Sequence, residues 1–114
     1  MNADQEKQSF FVRIHPARLN FMRTMTEQER AVMRAHYAYW KARLSERVLI
    51  LAGPIPIPDA PFGIIILRAC DAEEAEQLMR GDPSVIANVT DYEIFPLRLS
   101  LYEGRPTGTK PNSD

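Results

Sequence analysis

The sequence predicts an α+β domain in which a four-stranded antiparallel sheet carries two helices on one face. Three observations predict it. Two segments read as helix starts, "TEQE" at 26–29 and "DAEE" at 71–74. Apolar, β-branched or aromatic stretches flank them, so that the order along the chain is β-α-β-β-α-β. Finally, 114 residues with 45% hydrophobic content can fill one two-layer core but not two.

Each element has a local reason. "SFFVRIHP" (9–16) is aromatic and β-branched and stops at a proline, as a strand does. "ARLNFMRTM" is a connector of mixed signals. In "TEQE" the Thr26 hydroxyl is placed to accept from the third helical amide while Glu29 reaches back, a capping box. The helix it opens runs to about Arg47 without internal proline or glycine. "VLILAGP" (48–54) is a short strand closed by Gly-Pro. The prolines of "IPIPDAP" each remove a ladder donor and make it a loop. "FGIIILRA" (62–69) is almost continuously apolar, as a central strand is. Asp71 caps the second helix, whose first turn carries Glu74, and Gly81 is expected in the left-handed position just past its end. "DPSVIANV" reads as a turn and a short apolar segment, and "TDYEIFPLRLSLY" (90–102) as the last strand. Residues 1–8 are expected as a flexible start and 103–114, dominated by Gly, Pro, Thr, Ser and Asn, as a disordered tail.

This is the ferredoxin-like βαββαβ plan. Along the third strand Ile64 and Ile66 point one way, Ile65 and Leu67 the other, so both sheet faces are apolar. Helices cover one. A second copy across a twofold axis would cover the other, and a homodimer through the sheet faces is expected.

Composition excludes several classes. With 14 basic and 15 acidic residues the formal charge is −1, so no overall field draws in nucleic acid or an anionic membrane. RNA-recognition domains share this element order but need stacking aromatics on their central strands, where this chain has isoleucines. Arg30, Arg34, Lys41 and Arg43 interleave with acids on a solvated helix face, and Arg34 is expected to pair with Glu29 or Glu27 or simply to meet water. No apolar stretch nears the roughly 20 residues of a membrane span, and the polar beginning lacks a signal-peptide core. A cytoplasmic location is expected. The lone Cys70 has no partner for an intrachain disulfide and reads as a strand-end residue, and no spacing suits a metal. Neither metal nor cofactor is expected.

The chemistry concentrates in "MRAHYAYWKARL" (33–44). Met33, Tyr37, Trp40 and Leu44 recur at helical spacing and predict a buried stripe, with His36 on its flank beside Trp40. Two readings of His36 stay open: a hydrogen-bonded buried histidine, or one that moves a proton. Asp82 in "GDP" is ordinary turn chemistry, just past a helix end where the dipole disfavours an acid. An acid held there can orient an imidazole and raise its basicity. Spacing does not decide whether the two meet. His15 before Pro16 is either a strand end or a site residue. Tyr37 and Trp40 are either core or a stacking surface for a ligand, and the Gly53 amide either ends a strand or contacts a ligand oxygen. Ser84 and Ser100 show no base and are not read as nucleophiles.

Taken together, "RAHYAYW", "LILAGP", the apolar third strand, "DAEEAEQLMRGDP" and "YEIFPL" resemble the YciI-like (YCII-related) family over about residues 9–98. The resemblance implies a ferredoxin-like chain assembled as a dimeric α+β barrel. It further implies a histidine and an aspartate facing a cleft, here His36 and Asp82, with the end of the first strand and His15 nearby. The wider superfamily includes isomerases, cofactor-free oxygenases and haem-dependent branches, so fold does not select the reaction. Two functional expectations follow. One is a small cofactor-independent enzyme in which a His–Asp pair is general acid and base on a small aromatic or enolisable substrate. The other is a non-catalytic module that binds a metabolite.

Overall fold

The structure, a computed structural model, describes residues 7–103. Strands β1 (Gln8–Pro16), β2 (Leu49–Ile55), β3 (Phe62–Ala69) and β4 (Thr90–Leu97) form one antiparallel sheet in the order β2-β3-β1-β4. The long helix α2 (Glu27–Ser45) and α3 (Ala72–Arg80) are the two expected helices. Two single-turn helices join them, α1 (Phe21–Thr24) within the connector and α4 (Pro83–Ile86) within "DPSVIANV". The ferredoxin-like plan therefore holds, with the last strand ending at Leu97 rather than at 102. The first strand begins one residue early, at Gln8; the expectations for residues 1–6 and 104–114 lie outside the described residues.

Helix starts form as their side chains dictate. The Glu29 amide donates to Thr26 Oγ1 at 3.1 Å and the Thr26 amide donates to Glu29 Oε1 at 2.9 Å, the complete capping box. The Glu74 amide donates to Asp71 Oδ1 at 2.9 Å. Glu29 also takes Arg18, not Arg34, through Nη1 at 2.7 Å and Nη2 at 3.0 Å. Arg18 Nη2 donates onward to the Thr24 carbonyl at 2.7 Å, tying the lead-in to the first turn of α2. The Arg18 hydrogen bonds, then the Thr26 amide, pull the Glu29 carboxyl down to about 2.

The core lies between the sheet and the helices. Phe10, Val12 and Ile14 of β1 and Ile65, Leu67 and Ala69 of β3 meet Trp40 of α2 and Ala75 and Met79 of α3. Alternation leaves Phe11, Ile64, Ile66, Leu51 and Phe95 on the other face, where the Phe11 and Phe95 rings lie 6.1 Å apart.

Two sequence expectations are corrected here. Helix α2 does not bury the stripe of Met33, Tyr37, Trp40 and Leu44: Trp40 is buried, but Tyr37 is 68% and Leu44 51% exposed. The helix is turned about its axis so that the flank carrying Val32, His36, Tyr39 and Arg43, together with Trp40, faces inward. Gly81 is not left-handed either. It has φ −84°, because the chain passes directly into the extended cap of α4. Among the described residues the left-handed non-glycine positions are Asn20, φ 60°, which opens α1, and Arg47, φ 65°, and Asn88, φ 59°, which close α2 and α4. At the two helix ends the next residue's amide returns to the helix, Val48 to the Arg43 carbonyl and Val89 to the Ser84 carbonyl, both at 2.9 Å.

What Gly81 provides is space: a Cβ there would stand 2.7 Å from the Tyr39 hydroxyl, which donates to the Leu78 carbonyl at 2.7 Å. Two effects compete in Gly81→Ala. A right-handed backbone favours alanine by about 0.4–1 kcal/mol, whereas displacing Tyr39 loses a hydrogen bond and packing worth about 1–3 kcal/mol. Urea unfolding should therefore find Gly81→Ala destabilised. In a Tyr39→Phe background, where the obstructing oxygen is gone, the same change should become neutral or stabilising.

Candidate active site

Asp82 is the fully buried centre of a polar cluster formed by α2, α4 and the start of β4. It caps α4 in the order Asp-Pro-Ser: Asp82 is the N-cap, Pro83 takes the first helical position and needs no hydrogen bond there, and the Ser84 amide donates to Asp82 Oδ1 at 2.8 Å. The expected clash with a helix C-terminus is thus reversed, since Asp82 faces the amide end of the next helix.

Four donors converge on this carboxylate among the described residues. His36 Nδ1 lies 2.8 Å from Oδ2 and 3.0 Å from Oδ1. Trp40 Nε1 donates to Oδ2 at 2.7 Å, and the Ser84 hydroxyl lies 3.0 Å from Oδ1 beside its own amide. Burial alone pushes the Asp82 carboxyl upward. The hydrogen bond and charge of His36, then Trp40 and the Ser84 amide, outweigh it and hold Asp82 below the ordinary carboxylate range.

An ionised carboxylate only accepts, so the hydrogen between the two groups sits on His36 Nδ1. In the neutral ring Nε2 then carries the lone pair. It has no protein partner among the described residues, and the His36 side chain keeps 22% of its surface accessible. The arrangement is an imidazole oriented by a buried carboxylate through one of its two nitrogens.

The YCII-related domain family matches residues 9–98. The chain belongs to that family. Among solved structures, this YCII-related chain resembles 5-chloro-2-hydroxyhydroquinone dehydrochlorinase from Burkholderia phenoliruptrix AC1100, in complex with 2,5-dihydroxybenzoquinone. The TM-score is 0.61 at 15% identity, covering 80% of this chain and 95% of that one. An uncharacterized protein from Thermotoga maritima matches at TM-score 0.49 and 16% identity, over 81% of this chain and 99% of that one. A cofactor-independent oxygenase from Streptomyces nogalater matches at 0.45 and 10%, over 85% and 98%. No curated protein matches. At 15% identity the likeness to the dehydrochlorinase is one of fold.

The other candidate residues of this YCII-related chain are dispersed. His15 binds Glu93 Oε1 at 3.0 Å on the sheet face opposite the helices, away from Asp82. Gly53 lies in β2, the edge strand farthest from β4 in the sheet order. Trp40 is buried and spends its indole N–H on Asp82, so its ring is not an open stacking surface. Tyr37 lines an open groove of about 510 Å³ with Met25, Arg30, Met33 and Arg34, on the outward flank of α2. Two members of the cluster escape a search for reactive residues. Ser84 and Thr90, both buried, share a hydroxyl hydrogen bond of 2.8 Å. The "DPS" capping order was a readable sign for Ser84; nothing local marks Thr90. Among the described residues no group of three or more His, Cys, Asp or Glu could hold a metal ion, and no helix is long and apolar enough to cross a membrane.

Because the Asp82 carboxyl is lowered in the folded chain, its ionisation stabilises the fold above the unfolded aspartate range. That contribution is lost as pH falls through the lower native value. Asp82→Asn should cost about 1–3 kcal/mol at neutral pH, as one acceptor oxygen is replaced by an amide N–H₂ that faces other donors. It should also flatten the acid limb of a stability-versus-pH curve measured by urea unfolding.

Proposed function

We propose that this protein is a small enzyme, working without a cofactor, in which His36 Nε2 removes and returns a proton on a small aromatic or enolisable substrate while Asp82 orients the ring. The observation that carries the reading is the asymmetry of His36: Nδ1 is committed to a buried carboxylate and Nε2 is left without a protein partner among the described residues. When Nε2 takes a proton, the positive charge forms against an acid that is already ionised and hydrogen-bonded, so little reorganisation is needed. The likeness in fold to a dehydrochlorinase solved with a dihydroxybenzoquinone supports a hydroxylated ring as substrate class. Tyr37, about 100° around α2 from His36 and lining the outward groove, does not face the imidazole. His15 and Gly53 stand outside this arrangement.

The same reading includes a homodimer closed through the open sheet face, where Phe11, Ile64, Ile66 and Phe95 are otherwise left to water, and a cytoplasmic location.

The chemistry is testable without knowing the product. Incubated in D₂O with hydroxyhydroquinone or acetoacetate, the protein should accelerate exchange of C–H protons seen by NMR. His36→Gln should slow that exchange by about 10²–10⁴-fold while leaving the fold intact. Ligand-induced shifts without exchange would instead favour a non-catalytic metabolite-binding module. For assembly, Ile66→Glu should convert a dimer seen by analytical ultracentrifugation into a monomer. A wild-type monomer at micromolar concentration would sink the dimer.

A further inference from the structure

We infer that Trp40, Ser84 and Thr90 are positioning residues for the His36–Asp82 pair, and that the two hydroxyls form a one-way chain that keeps the shared proton on His36. The inference rests on the proton-transfer reading of His36 for its purpose, but not for its measurement.

The direction of the chain follows from the donor inventory. Ser84 has one hydroxyl hydrogen and two neighbours in reach, Asp82 Oδ1 at 3.0 Å and Thr90 Oγ1 at 2.8 Å. An ionised Asp82 accepts and does not donate, so that hydrogen goes to Asp82 and the Ser84 oxygen accepts from Thr90. The order is therefore Thr90 to Ser84 to Asp82. His36 Nδ1 also lies 3.3 Å from the Ser84 oxygen, at the edge of hydrogen-bond range, and has the nearer carboxylate to serve.

The two carboxylate oxygens are held separately. Oδ1 takes the Ser84 amide and hydroxyl, and Oδ2 takes the Trp40 indole. Trp40 is braced in turn: the Tyr39 ring meets it edge-on at 5.1 Å, and the Arg43 guanidinium sits 4.5 Å over Tyr39. A carboxylate held on both oxygens cannot swing, and its lone pairs are shared out among other donors. It accepts the Nδ1 hydrogen without drawing the proton across. Ser84 and Thr90 are buried, so neither reaches a substrate, and both act through Asp82.

The test is NMR on the full chain, with ring ¹⁵N signals for His36 and a carboxyl ¹³C titration for Asp82. The wild type should show protonated Nδ1 and bare Nε2, the minor tautomer of free histidine. Ser84→Ala and Trp40→Phe should raise the Asp82 midpoint by about one pH unit, a tenfold tighter hold on the proton, and shift the His36 Nδ1 signal as its hydrogen bond to the altered carboxylate changes, with the hydrogen still on Nδ1 above that midpoint. Thr90→Val, nearly the same shape, should move both signals the same way by less, and it decides the matter if Ser84→Ala does not fold. An unchanged Nδ1 signal and Asp82 midpoint in folded variants would reduce these residues to packing and overturn the inference. Shifted signals with no proton exchange on any probe would leave the inference standing and remove the enzyme reading instead.

Discussion

A carboxylate with no access to water sits at the junction of three elements, and the rest of the site follows from keeping it satisfied. An unpaired buried charge costs several kcal/mol, more than a single apolar contact returns. Asp82 avoids that penalty only if Trp40 and His36 on α2 face it, Ser84 turns back on it at the start of α4, and Thr90 closes behind Ser84 at the start of β4. These requirements explain features that apolar packing alone does not. Helix α2 is rotated so that a polar flank faces inward while Tyr37 and Leu44 stay exposed. The chain leaves α3 through a right-handed Gly81 and enters α4 at once, which delivers Asp82 to its position as a cap.

That constraint also marks where the sequence was legible. Thr26 with Glu29 and Asp71 with Glu74 announce helix starts because capping is a contact between residues three apart, visible along the chain. Strands read well for a similar reason: the alternation along "SFFVRIHP" and the run "FGIIILRA" report burial one residue at a time. The face of α2 was misjudged because a helical wheel weighs apolar area, and here two polar bonds to a residue 42 and 46 positions away outweighed it. Gly81 looked like a left-handed stop because glycine usually is one; its reason is Tyr39, which lies in another helix. The Arg18–Glu29 pair was hidden in the same way, bridging a connector whose path no local signal reveals. His36 and Asp82 were both singled out from their residue types and the family resemblance, but their contact is tertiary and could only be read from the fold.

A buried ion pair is weak evidence of stability, since an apolar cluster of the same volume often does as well. This weakness favours a functional reading. If the cluster served packing alone, the donors would be spent on both sides of the imidazole. Instead all of them converge on Asp82, and the far nitrogen of His36 has no protein partner among the described residues. The free energy of the network goes into fixing one tautomer and one ring orientation, which matters to a proton in transit and is of little use to a core.

The site and the proposed dimer surface lie on opposite faces of the same sheet. Asp82, Trp40 and Ser84 belong to the helix side, whereas Phe11, Ile66 and Phe95 belong to the open side. Every group that holds His36 comes from within one chain, so assembly is not needed to build the pair. The two sides share one strand pair at the end of β1, where Pro16 lies opposite Thr90 on the helix side and His15 opposite Asp91 on the open side.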